Sequence, residues 1–250
     1  MTKKILFIVA HPDDESLWVG GTLNFLSKIS NIEPYVLCLT GRNHPERSTE
    51  IKNALSVAGI KDYFIGTENI PTAHGQPLQH MSDCIDDAIN FFGISPDMQI
   101  LPQDIDLVVT HPYYGDEHKH PQHIQVFKYV KEWCQKLHIP FAFFSTLNIP
   151  FLKHTGKQQD IRRNDYTHII SYGDCEHTDI KHFVQIKADC SKKYKMLQCY
   201  PSINIEQHHS GYASWDSCVE HIYFCDNKGF SIFEDIINNL ESPAGKEWYK

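Results

Sequence analysis

The 250-residue chain has no stretch approaching the roughly 18 consecutive apolar residues of a membrane-spanning helix, so no such span is expected. It also lacks any run of like charges long enough to serve as a nucleic-acid or acidic-lipid arm. Lys+Arg total 23 against 31 Asp+Glu, a formal balance of −8, which disfavours nucleic acid as a partner. No C-x-x-C pair occurs. The eight cysteines, at 38, 84, 134, 175, 190, 199, 218 and 225, lie far apart and mostly among apolar neighbours such as Val36-Leu37-Cys38-Leu39. Reduced core thiols in a cytoplasmic protein are therefore expected, not a disulfide frame or a zinc ribbon. No secretory leader is legible, because the apolar run Ile5–Ala10 is only six residues long and ends in charge. Internal repeats, low-complexity tracts and linkers rich in Pro, Gly or Ser are missing too, which points to one domain over residues 1–250. With 41% apolar and 22% charged residues, disordered and fibrous classes are excluded.

What the chain does contain is an alternation of strand-length apolar runs with helix-period segments. Ile5–Ala10, Tyr35–Leu39, Tyr63–Ile65, Leu107–Val109 and Phe141–Phe144 read as buried strands. Between them, Val19, Leu23, Leu26 and Ile29 share one helical face, as do Ile51, Ala54, Leu55 and Ala58. Ile85, Ala88, Ile89 and Phe92 repeat the pattern, and so do Ile124, Phe127, Val130, Cys134 and Leu137. This βαβ order predicts an α/β, Rossmann-like fold over residues 1–145, with a mainly parallel sheet flanked by helices and a functional crevice at the carboxyl ends of the strands. Residues 146–250 read as a less regular extension that completes the substrate site. It holds strand candidates at 167–172 and 182–186, a helix candidate at 189–198, and a final helix marked by Phe233, Ile236, Ile237 and Leu240. The loops at 66–80, 148–165 and 201–216 are long and polar, as expected of segments that shape a site.

Two segments carry chemistry. Ala10-His11-Pro12-Asp13-Asp14-Glu15 falls where the first strand ends and a helix begins, so His11 and Asp14, three apart across the turn, can converge on one point. One carboxylate can then bind a cation while its neighbour Asp13 stays free as a base. The plain alternative is helix capping by the acids. The second segment, Thr110 to His123, follows the fourth strand and packs four histidines into 13 residues. His120 and His123 are spaced i, i+3 around Pro121 at a helix start, so both rings can face one side. If strands one and four are neighbours at a switch point, the two segments meet. Two histidines and a carboxylate with open positions make a catalytic divalent site, zinc or another first-row metal. His111 and His118 are rival ligands, and His118-x-His120 is a further pair.

Ala-His-Pro-Asp-Asp-Glu after an N-terminal strand, with a later His-Pro-x-His, resembles the LmbE-like (PIG-L) family of metal-dependent de-N-acetylases. Thr40-Gly41 after the second strand and Arg47-x-x-Glu50-x-x-x-Ala54-x-x-x-Ala58-Gly59 extend the likeness over about half the chain. Here His120-Pro121-Gln122-His123 stands in place of the family's common His-Pro-Asp-His. The resemblance implies a Rossmann-like fold and hydrolysis of the acetamide of an N-acetylated amino sugar or its nucleotide or glycoside conjugate. It implies that His11, Asp14 and His123 bind the metal and that Asp13 is the general base. His120 would stabilise the oxyanion or serve as an acid, and Arg47 would meet the substrate. Arg42, at a strand's carboxyl end, is a second substrate-binding candidate.

The expected partner is thus a small amino sugar or sugar conjugate, with a homo-oligomer compatible. Rival readings are a metal amidase acting on a larger acyl or thiol-conjugate amide, and a silent carbohydrate-binding protein. A two-histidine, one-carboxylate iron oxygenase is a third, but it would have no use for Asp13.

Overall fold

The computed structural model describes residues 2–68, 76–93, 104–116, 119–146, 167–172, 175–187, 189–203 and 219–238. Its strands form one eight-stranded sheet in the order β3-β2-β1-β4-β5-β8-β7-β6. The first five are β1 (Lys3–Val9), β2 (Ile32–Thr40), β3 (Asp62–Glu68), β4 (Leu107–Thr110) and β5 (Phe141–Phe144), all parallel. β6 (Thr167–Tyr172), β7 (Cys175–Lys187) and β8 (Val219–Phe224) extend the sheet in antiparallel fashion. Alternate residues of β1 enter opposite cores, Ile5, Phe7 and Val9 on one face and Leu6 and Ile8 on the other. A strand covered on both sides has no polar face, which is why its sequence is a continuous apolar run. Each such side chain contributes about 1.5–3 kcal/mol when fully buried.

The first core is closed by α1 (Asp14–Leu26), α2 (Pro45–Ala58), α5 (Cys190–Leu197) and α6 (Asn227–Asn238); the second by α3 (Met81–Gly93) and α4 (Pro121–Leu137). Pro45 and Pro121 occupy the first turns of α2 and α4, where a missing N–H costs nothing. Among the described residues, no helix is long and apolar enough to cross a membrane.

β1 lies between β2 and β4, so the chain leaves β1 to one side and returns on the other. The expected switch point is therefore present, and the ends of β1 and β4 open into the same crevice.

β8 has no counterpart in the sequence reading. Its polar Glu220 and His221 are buried, so the usual alternation is lost. The Glu220 carboxylate accepts the N–H groups of Gly21 at 3.0 Å and Thr22 at 2.7 Å, and the Thr22 hydroxyl at 2.6 Å. Lys193 Nζ of α5 lies 2.9 Å away and balances the charge, tying β8, α1 and α5 together. Smaller differences arise at element ends. β7 begins at Cys175 instead of 182, residues 66–68 belong to β3, and Ile29 falls beyond the end of α1. Leu137 is exposed because the chain turns away at His138, which is left-handed with φ 57°. Leu240 and the loop 148–165 lie outside the described residues, as does 201–216 beyond Ile203. Cys38, Cys84, Cys134 and Cys199 are free thiols, whereas Cys190 is disulfide-bonded, against the expectation of reduced cysteines throughout.

Candidate active site

The first site turn is built on strain that its neighbours hold. Asp13 adopts φ 131° and ψ −32°, a region that costs an L-residue on the order of 1–3 kcal/mol. Its carbonyl starts α1 by accepting Ser16 N–H at 2.9 Å and Leu17 N–H at 2.8 Å, but its side chain makes no capping bond. The capping alternative therefore does not describe this carboxylate. Glu15 accepts the Asp13 N–H at 3.1 Å and is itself fixed by the hydroxyls of Ser16 and Tyr200. On the open side, Arg47 Nη2 donates to the Pro12 carbonyl and stands 3.4 Å from Asp13 Oδ2. Gly41, with φ 105°, closes against Pro12, where a Cβ would come within 2.5 Å of the Pro12 ring. Only glycine suits that place.

The second turn leaves β4 at Thr110 and passes through Gly115 and Lys119, both at positive φ, before entering α4 at His120. Asp116, an acid in the loop between β4 and α4, is buried. Its Oδ1 accepts the His120 N–H at 3.1 Å. Its Oδ2 stands 3.2 Å from His123 Nδ1, within ion-pair reach though off the line of a hydrogen bond. Glu117 and His118 lie outside the described residues.

The two turns converge. His11 Nδ1 is 3.2 Å from His123 Nε2 and 3.4 Å from Asp14 Oδ2, while His123 Nε2 is 3.3 Å from Asp14 Oδ1. His120 joins them, its ring centroid 4.4 Å from that of His123 and 5.1 Å from that of His11. His111 stacks on the other face of His123 at 4.1 Å and lies 3.3 Å from Asp14 Oδ2. Its Nε2 also accepts the Ala10 N–H at 3.0 Å. Two overlapping groups, His11/His120/His123 and Asp14/His111/His123, have ligand atoms within 4.8 Å of one another and could hold a metal ion.

Burial and close charges separate the protonation states here. Burial opposes charge on Asp14, yet His123 and His111 beside it hold its carboxyl well below the usual range. Burial, reinforced by the charge of Asp14 and opposed by Arg47, raises Asp13 well above it. Two adjacent carboxylates are thus driven apart. Although burial disfavours the charged ring, Asp14 and Asp116 push His123 up to about 9. Burial and then the neighbouring His123 lower both His111 and His120 to about 4.

Arg47 reaches this centre from α2. Its Nη1 lies 3.2 Å from Glu50 Oε2 and 3.4 Å from Ser202 Oγ, and its guanidinium covers the Tyr200 ring at 5.3 Å. Glu50 also accepts the Ser202 N–H at 2.7 Å. Arg42 is exposed; its guanidinium lies 5.0 Å over the Phe64 ring and, among the described residues, meets none of the histidine–aspartate cluster. Sequence reasoning missed the duties of Glu15, Glu50 and Gln122. The partners of both glutamates come from the Tyr200–Ser202 segment, distant in sequence.

Comparison with known proteins places this geometry in context. The PIG-L family model, described as GlcNAc-PI de-N-acetylase, matches residues 6–134. A probable N-acetylglucosaminyl-phosphatidylinositol de-N-acetylase of Schizosaccharomyces pombe is 35% identical over 77 residues, 31% of each chain. The chain thus spans about a third of the length of that curated relative. Among solved structures, a deacetylase triple mutant of the teicoplanin biosynthetic pathway superposes with a TM-score of 0.56 at 14% identity, covering 89% of this chain and 97% of the other. The zinc-inhibited form of teicoplanin deacetylase gives 0.52 at 12% identity, with 88% and 97% covered. At such identities the structural likeness shows the shared α/β fold.

Proposed function

The chain belongs to the PIG-L family, and from that premise we propose that it hydrolyses the acetamide of an N-acetylated amino sugar, or of its nucleotide or glycoside conjugate, to acetate and a free amine. A divalent first-row cation, zinc foremost, would be held by His11, Asp14 and His123. One observation carries this: His11 Nδ1 stands 3.2 Å from His123 Nε2, and the Asp14 carboxylate meets both rings, Oδ2 at 3.4 Å from His11 Nδ1 and Oδ1 at 3.3 Å from His123 Nε2. A tetrahedral zinc with bonds of about 2.0–2.1 Å spaces its ligands by about 3.3–3.4 Å. The donor set, two imidazoles and a carboxylate, suits the same ions. His111 is the weaker candidate, because its Nε2 lone pair is already committed to the Ala10 N–H.

When bound, the cation supplies a water acidified toward a pKa of about 7 and a polarised acetyl carbonyl. Asp13 takes the proton that water releases as it attacks. Arg47 stands against Oδ2 of Asp13, which leaves Oδ1 for that proton. The raised pKa of Asp13 suits a group that must hold a proton and return it to the departing amine. His120, lowered to about 4, meets the developing oxyanion as a neutral N–H donor. Arg42, exposed beside the carboxyl end of β2, is proposed to meet a hydroxyl or phosphate of the conjugate. Arg47 is proposed to hold Asp13 first and to offer substrate only the remaining face of its fork. We place the reaction in the cytoplasm, which the reduced Cys38, Cys84, Cys134 and Cys199 favour and the disulfide-bonded Cys190 does not.

The direct test is a mass-spectrometric screen of N-acetyl sugars, sugar nucleotides and glycosides with the zinc-loaded protein. Loss of one acetyl group with release of acetate is expected. Release of a bulkier acid from other amides, with no deacetylation, would overturn the substrate class; tight sugar binding without turnover would overturn the enzyme.

A further inference from the structure

We infer that Gln122 is a positioning residue that sets which ring nitrogen of His11 faces the centre. The inference rests on the proposed ligand role of His11, but it begins with a backbone carbonyl. Gln122 Nε2 donates to the Gln76 carbonyl at 2.7 Å. A carbonyl oxygen accepts and cannot donate, so the amide orientation of Gln122 is fixed, with Oε1 turned toward His11. Oε1 lies 2.5 Å from His11 Nε2. Facing an acceptor, Nε2 of the neutral ring must carry the hydrogen. The lone pair is then on Nδ1, the atom that stands 3.2 Å from His123 Nε2 and 3.4 Å from Asp14 Oδ2. With Gln122 only 1% exposed, bulk water does not compete for these bonds.

The residue type matters as much as its place. A ligating histidine commonly gives its outer N–H to a carboxylate, which raises the basicity of the inner nitrogen. Beside the outer nitrogen of His123 stands a carboxylate, Asp116 Oδ2 at 3.2 Å, whereas His11 has a neutral amide. The two imidazoles are therefore unequal, and the Gln122 found where His-Pro-Asp-His is common makes them so. Gln122 orients His11 without adding negative charge to a centre that already buries Asp13, Asp14 and Asp116.

Three proteins and two measurements test this. Long-range proton–nitrogen correlation on the metal-free, histidine-labelled wild type reads the His11 tautomer, and competition with a fluorescent chelator reads zinc affinity. The wild type is expected to show hydrogen on Nε2. Gln122→Leu is expected to lose that preference and to weaken zinc binding by about 10–100-fold. Gln122→Glu keeps the acceptor for His11 but loses the donor to Gln76, and is expected to retain both the tautomer and wild-type or tighter affinity. If Gln122 merely anchored the segment at Gln76, Glu would be as damaging as Leu, and that result overturns the inference. So does hydrogen on Nδ1 in the wild type, a reading that decides the matter even if Gln122→Leu fails to fold. A wild type with the expected tautomer that binds no zinc would instead overturn the metal reading and leave the orientation of His11 standing.

Discussion

His11 and His123, 112 residues apart in the chain, bring Nδ1 and Nε2 to 3.2 Å. Two lone pairs do not approach so closely without something between them. Where a proton fills that place, Asp14 and Asp116, which push His123 up to about 9, favour keeping it on the His123 ring. A cation must displace this proton. Apparent zinc affinity is therefore expected to rise about tenfold per pH unit from about pH 6 to 8, with about one proton released per ion bound. Calorimetry in buffers of different ionisation enthalpy measures the release; affinity independent of pH would contradict it.

Asp13 and Asp14 divide binding from proton transfer. Asp13→Asn is expected to bind zinc within a few-fold of wild type and to lose about 10²–10⁴ in kcat. Asp14→Asn is expected to lose zinc, measured by chelator competition. Turnover by metal-loaded Asp13→Asn at the wild-type rate would remove Asp13 as the base.

Arg47 clamps the strained turn through the Pro12 carbonyl and the Asp13 carboxylate. Arg47→Met should leave Asp13 without its counter-charge and Glu50 short of a partner. The expected cost is about 2 kcal/mol, or about 4–8 °C in melting temperature for a chain of this size, together with a fall in kcat. A raised KM with unchanged melting temperature and kcat would make Arg47 a substrate fork alone.

His221, far from the centre in sequence, is buried in β8, and that burial lowers it to about 4. An unfolded histidine protonates near pH 6.5, so below that value the unfolded state takes up a proton that the folded state refuses. The stability is full above about pH 6.5 and falls as pH drops toward 4, by about 2 kcal/mol at pH 5. His221→Phe is expected to flatten the acid side of the stability profile in thermal melts. A profile unchanged by the substitution would place the acid sensitivity elsewhere.

Local pattern was enough to locate the parallel half of the fold, because strands buried on both faces announce themselves as apolar runs. The order of β1 and β4 followed from the crevice rule, and with it the meeting of His11 with His123. β8 stayed hidden because Glu220 and His221 break its pattern, and the bonds that make Glu220 tolerable come from Thr22 and Lys193, distant in sequence. The same holds within the site. His11, Asp13, Asp14, His120 and His123 stand in short motifs, whereas Asp116 reads as a loop acid until its burial is seen. Glu15 reads as a helix-start acid until Tyr200 is found against it. Arg47 was legible as important, but whether its fork faces substrate or the Asp13 turn depends on the path of the Pro12 carbonyl, which no spacing encodes.

The central claim is that His11 and Asp14 of one turn and His123 of the other share one cation, and anomalous diffraction at the zinc edge from zinc-soaked crystals tests it most directly. A single strong peak about 2.0–2.2 Å from His11 Nδ1, Asp14 and His123 Nε2 is the expected result. A peak that binds His111 in place of His11, or no peak between the two turns at saturating zinc, would contradict it.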